Sequence, residues 1–104
     1  MSDNEKKIVE LIRDLSNPIA YARKASAVVL GGIGPDAKGA VPELTKVLSD
    51  SNADVRIEAA NALGEIGYEA KSAIPELIKA TNDSDARVRQ AATVALGKID
   101  LLDK

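Results

Sequence analysis

The chain has 104 residues, enough for one compact unit and too few for two. Its 14 basic and 16 acidic side chains are interspersed and leave a net charge of −2, so no strong field draws a polyanion. The absence of Cys and His removes a disulfide framework, thiolate chemistry, ordinary nucleophile–base pairs and His-rich metal sites.

Ser2, Asp3, Asn4 and Glu5 supply N-cap chemistry ahead of an apolar stripe, Ile8, Leu11, Ile12 and Leu15. This predicts a helix over 4–15. Asn17 and Pro18 then suit a cap and a first helical position, so a second helix is expected over 18–33. Gly34 fits its terminator. Pro35-Asp36-Ala37-Lys38-Gly39 recurs as Tyr68-Glu69-Ala70-Lys71-Ser72, which predicts two equivalent tight turns. Helices are expected over 40–49 and 73–81, with Pro42 and Pro75 tolerated in their first turns. After the polar corners Asp50-Ser51-Asn52 and Asp83-Ser84-Asp85, helices are expected over 53–66 and 86–101. Asp100 stands where Gly67 would stop a helix, so the last helix is expected to run on, with Leu101 or Leu102 folding back over the final repeat. No alternating β pattern occurs.

These elements repeat. Val41-Pro42-Glu43-Leu44 returns as Ile74-Pro75-Glu76-Leu77, and Ala62-Leu63-Gly64-Glu65-Ile66 as Ala95-Leu96-Gly97-Lys98-Ile99. Residues 41–67 and 74–100 are identical at 14 of 27 positions. A weaker copy over 8–34 keeps Glu10, Leu11, Leu15, Arg23, Ala27, Leu30, Gly31 and Gly34 in register. A fixed 33-residue period with helical spacing inside it predicts an all-α solenoid of three antiparallel helix pairs. The repeats span about 4–34, 35–67 and 68–104 within one domain, 1–104. Leu11, Leu15, Leu30, Leu44, Leu48, Leu63, Leu77 and Leu96 should form its core.

The Thr-Pro-Leu-His signature of ankyrin and the aromatic pattern of tetratricopeptide repeats are both absent. What stands instead is Val-Pro-Glu-Leu, an Asp-Ser corner, Val-Arg, and Ala-Ala-x-Ala-Leu-Gly-x-Ile-Gly at 59–67. This closely resembles the HEAT-like repeat of phycobilisome (phycocyanobilin) lyases. The first unit departs most, with Val9 for the Pro, Ala22 for the Val and Asn17 for the corner Asp. The resemblance implies that the second helix of each pair lines a concave side. It also implies a scaffold or interaction module, with a chromophore-handling lyase subunit as the alternative. The His-Glu iron pairs of HEAT-like deoxyhypusine hydroxylases cannot be supplied by this chain.

At 100° per residue, Val55, Ala59, Ala62, Leu63 and Ile66 share the core side of the middle second helix. Asp54, Ile57, Glu58, Asn61 and Glu65 face away. Equivalent offsets and the divergence among repeats pick out one candidate partner-binding surface: Lys24, Val28, Ile57, Glu58, Asn61, Glu65, Gln90, Val94 and Lys98. Tyr21 and Tyr68 lie near its ends. A protein or peptide segment with apolar anchors and some positive charge suits it. The acidic centre argues against nucleic acid. Glu58 and Glu65 read as a solvated pair rather than acid/base partners, so no catalytic residue, cofactor or metal is expected. Arg23, Arg56 and Arg89 recur in register and should tie repeats to corner aspartates such as Asp50 and Asp83. Gly31, Gly64 and Gly97 lie inside helices and should permit close helix contact. Thr81 and Thr93 replace Leu48 and Ala60, as a capping face would. No apolar run approaches a membrane span, and Met1 is followed by polar residues. A cytoplasmic monomer with no membrane partner is the expectation.

Overall fold

The computed structural model describes residues 1–100. Those residues form six α-helices and no strand: α1 (Asp3–Asp14), α2 (Ala20–Ile33), α3 (Val41–Val47), α4 (Ala53–Ile66), α5 (Ile74–Ala80) and α6 (Ala86–Asp100). They pack as the pairs α1/α2, α3/α4 and α5/α6, and the second helices stack directly, α2 on α4 and α4 on α6. The Cα positions span 37 × 35 × 17 Å, a slab two helices thick.

Local chemistry explains the boundaries. Ser2 caps α1 through a capping box: its Oγ accepts the Glu5 N–H at 3.2 Å, and Glu5 Oε1 accepts the Ser2 N–H at 3.0 Å. Asn52 caps α4 by accepting the N–H groups of Asp54 and Val55. The chain starts α2 later than expected, at Ala20. Asn17 Oδ1 accepts the Ile19 N–H, which closes a turn one step before the helix, and Ile19 takes the N-cap position with no side-chain bond. Pro18 therefore lies outside the helix. Gly34 and Gly67 end α2 and α4 with φ of +76° and +78°, which only glycine adopts cheaply. The connections expected as tight turns are 3-10 helices, Gly34–Ala40 and Gly67–Ala73, kinked at Ala37 and Ala70. Both alanines are fully buried, so each connection contributes to the core.

That core is aliphatic. Leu15, Leu30, Leu44, Leu48, Leu63 and Leu77 are buried as expected, beside Ile66, Ile99, Val55 and Val88. Leu11 and Leu96 are only half-buried. They lie in the outer two of the three repeats, which pack against a neighbour on one side only among the described residues; their counterparts Leu44 and Leu63 are fully covered. The expected continuation of α6 and the placement of Leu101 and Leu102 lie outside the described residues.

Two contacts key each junction between repeats. Gly31 brings α2 so close to α4 that a Cβ added there would lie 3.1 Å from the Ala62 Cα. Gly64 meets Ala95 in the same way, at 3.0 Å. The second key is an arginine. Arg23 donates from Nε and Nη2 to Asp50 at 2.7 and 3.1 Å, while its Nη1 reaches the Asn17 carbonyl at 2.8 Å. Arg56 repeats this one unit later, with Asp83 and the Asp50 carbonyl. Both pairs are largely shielded from solvent.

Arg89 departs from the expected ladder. Its Nη1 donates to the Asp83 and Ser84 carbonyls, but it meets no aspartate among the described residues. Gly97 departs too: among the described residues nothing lies within 4 Å of where a Cβ would stand.

Candidate interaction surface

The outward side of α2, α4 and α6 carries the candidate surface. These helices keep their core side with Ala27, Leu30, Val55, Ala59, Leu63, Val88, Ala92 and Ile99, which leaves the opposite arc in solvent. Asn61, Glu65, Gln90, Val94 and Lys98 are exposed, as is Val28, while Lys24 and Glu58 are half-exposed. Ile57 differs. It is half-buried and packs against the core, so packing does require it, and it offers a partner less than a freely projecting side chain would.

Four of the nine residues converge. Val28, Glu58, Asn61 and Glu65 line a groove of about 310 Å³ between α2 and α4. Its floor is Ala27, Gly31, Gly32 and Ala62, the close-packed seam of the first junction. The glycines and alanines that let the helices approach also keep the groove clear of side chains. Asn61 Nδ2 donates to Glu58 Oε1 at 3.3 Å, and Glu65 is ion-paired with Lys98 across the next junction. The rim therefore carries two carboxylates, one of them partly neutralised. Lys24 lines a smaller recess with Ala20, Tyr21, Asn52 and Asp54, and a neighbouring depression with Val28. Gln90 and Val94 do not line the groove between α2 and α4.

Tyr21 is 76% exposed at the start of α2 and joins Val28 and Val29 in an apolar depression. Tyr68 sits in the connection after α4, with the Lys71 ammonium 5.2 Å from its ring centre. A second charged feature escaped the sequence reading. Arg87 bridges Asp85 of its own corner and Asp54 of the preceding repeat, at 2.9 and 3.1 Å. The 33-residue separation of Asp54 and Arg87 was the available signal.

Electrostatics at the corners are fixed by these arginines. Burial opposes the charge on Asp50, but bonds from Arg23 and the Asn52 N–H, with the Arg23 and Arg56 charges, outweigh it and lower its pKa. Asp83 is lowered against burial by Arg56 and the Asp85 N–H. Asp85, bonded by Arg87 side chain and backbone, falls to about 2. Among the described residues no cluster of three His, Cys, Asp or Glu side chains could hold a metal ion. None of their helices is long and apolar enough to cross a membrane.

Stacked antiparallel pairs with a 33-residue register are matched by the family model for HEAT repeats over residues 5–97. The chain belongs to the HEAT repeat family. Its fold is also that of an engineered protein whose crystal structure comes from the Northeast Structural Genomics Consortium, with a TM-score of 0.80 and 26% identity. That likeness covers 95% of this HEAT repeat chain and 46% of the engineered one, so the chain spans about half the engineered protein's length. No curated protein matches the sequence. HEAT repeats generally mediate protein interactions, in keeping with a surface that carries grooves and charge.

Proposed function

We propose that this HEAT repeat chain is a non-catalytic interaction module that binds a protein or peptide segment along the outward side of α2, α4 and α6. The observation that carries the reading is the groove between α2 and α4, with an apolar wall at Val28 and carboxylates at Glu58 and Glu65. Direct stacking of the second helices, against first helices held apart by the 3-10 connections, supports this side as the concave one. An extended segment with one aliphatic anchor and a flanking Lys or Arg fits. The anchor replaces water over the seam, and the cation meets the rim. Nucleic acid suits the surface poorly, because Glu58 and Glu65 repel phosphate.

The test is a selection from a random peptide library on immobilised full chain, followed by affinity measurement on variants. Enriched peptides should combine an aliphatic residue with a basic one. Val28→Glu and the pair Glu58→Lys/Glu65→Lys should each weaken them by roughly tenfold. Unchanged affinity in both variants would place binding elsewhere. A chromophore-handling lyase-type subunit is the finer alternative, supported by the resemblance of the 59–67 motif. A shifted bilin absorption band on mixing would favour it.

A further inference from the structure

The two internal junctions share one seam but are covered differently. At the second, α4 meets α6 at Gly64 and Ala95, and the Lys98 side chain lies across the contact. Its Cδ stands 3.4 Å from where a Gly64 Cβ would be, and its ammonium is ion-paired with Glu65. At the first, Gly31 and Ala62 repeat the contact, but the covering pair is not repeated. Glu65 takes the register of Lys98, and Gly32 takes the register of Glu65. The atoms nearest to a Cβ added at Gly31 all belong to Ala62, and none of the described residues comes within 4 Å of one added at Gly32.

This uncovered seam is the floor of the groove between α2 and α4. The described residues that line it include two carboxylates, Glu58 and Glu65, and no cation. The two stand two turns apart on α4, about 10 Å along its axis. Asn61, between them, donates an amide N–H to Glu58, which leaves its carbonyl oxygen able to accept from an ammonium.

We infer that the groove selects a lysine side chain of the partner segment, laid over Gly31 and Ala62 as Lys98 lies over Gly64, with its ammonium on Glu65 and Asn61. The inference rests on the proposed reading of this groove as the partner site, and it narrows the basic residue to lysine. An unbranched methylene stem fits a floor without side chains and covers it while the charged head stays at the rim. A compact ammonium with three rotatable donors meets acceptors that lie in different directions, whereas a planar guanidinium needs a carboxylate edge facing its fork. Glu65 already holds Lys98, so the incoming ammonium competes with the chain's own lysine for that carboxylate.

Magnetic-resonance titrations of the isotope-labelled full chain test this with three peptides that differ at one residue: acetyl-Ala-Val-Ala-Lys-Ala-amide and its arginine and norleucine counterparts. In an extended peptide the valine and the variable residue project to the same side, so both can enter the groove. The lysine peptide should shift the amide signals of Gly31, Gly32 and Ala62. It should half-saturate roughly threefold below the arginine peptide and roughly tenfold below the norleucine peptide. Lys98→Met keeps an apolar stem over Gly64 and removes the competing charge, so it should tighten lysine binding by roughly threefold. Lys79→Met, on α5, should leave it unchanged. Gly32→Leu places a side chain on the floor and should abolish the shifts at Gly31 and Ala62; Gly32→Ala is the milder version should the leucine disturb α2. If the arginine peptide moves the same signals at equal or lower concentration, the inference fails and the groove reading stands. If all three peptides leave the groove signals unmoved, the groove reading fails with it. Lysine binding indifferent to both Lys98→Met and the Gly32 variants would also overturn the inference.

Discussion

Arg56 grips Asp83 with two near-parallel bonds, Nε to Oδ2 at 2.9 Å and Nη2 to Oδ1 at 3.1 Å, across a boundary between repeats. The remaining nitrogen of the fork ties back to the Asp50 carbonyl of its own corner. One side chain therefore fixes the loop of one unit against the loop of the next.

Removal of that side chain leaves Asp83 shielded without its counter-charge. Arg56→Ala should cost about 2 kcal/mol, the scale of lost charged hydrogen bonds, and lower Tm by roughly 10 °C. Arg56→Lys should recover only part of this, because an ammonium cannot span both carboxylate oxygens and the carbonyl. Arg89→Ala, which breaks no ion pair, should change Tm much less. Thermal melts followed by circular dichroism compare the three.

The corner aspartates also set an acid limit. Asp50 and Asp83 have folded pKa values below the ordinary 3.8, so their contribution is complete above that value and is lost as pH falls through the lower folded values. Asp85, at about 2, extends the loss further. Stability should be flat near neutrality and fall steeply between pH 4 and 2. In Arg56→Ala the fall should be shallower, because Asp83 then keeps only the Asp85 N–H bond to hold its folded pKa down. Urea midpoints measured across this range would show it.

Gly64 and Gly97 occupy the same register and should respond in opposite directions. An added methyl at Gly64 would press on the Ala95 backbone. Gly64→Ala should therefore destabilise by about 1–3 kcal/mol despite its better helix propensity. Gly97→Ala meets open space and should gain up to about 1 kcal/mol from propensity alone. Equal effects in denaturant titrations would refute the junction geometry.

Ile19 leaves α2 without the cap its counterpart has. Its backbone, φ −90° and ψ 121°, matches that of Asn52, φ −94° and ψ 123°, and its side chain is exposed. Ile19→Asn should add a side-chain acceptor for the first-turn N–H groups and raise stability by about 1 kcal/mol.

Repeat register carried most of the fold in the sequence, because identical packing demands select identical residues. The paired helices, the Pro42 and Pro75 first turns, and the Arg23 and Arg56 bridges were all legible. What register cannot convey is whether a neighbour is present. Gly97 and Arg89 repeat Gly64 and Arg56 as letters, yet among the described residues neither meets the partner that gives those residues their role. Helical angle alone also misplaced Ile57: an arc facing away from the core still contains positions that the adjacent repeat half covers. The 3-10 connections look like turns in the sequence because seven residues are too few to display a helical period. Of the candidate surface, Val28, Glu58, Asn61 and Glu65 come together, while Lys24, Gln90 and Val94 do not join their groove.

The two helix layers respond differently to load. Along α2, α4 and α6 the backbones meet at Gly31–Ala62 and Gly64–Ala95 with no side chain between them, so that layer resists compression. The other layer is spaced by the 3-10 connections, where Ala37 and Ala70 depart from helical geometry. Bending strain should concentrate in those connections, with the glycine–alanine seams serving as hinge lines. The slab then acts as a leaf spring: drawing its ends together about the seams opens the first-helix side and narrows the groove walled by Val28 and Glu58.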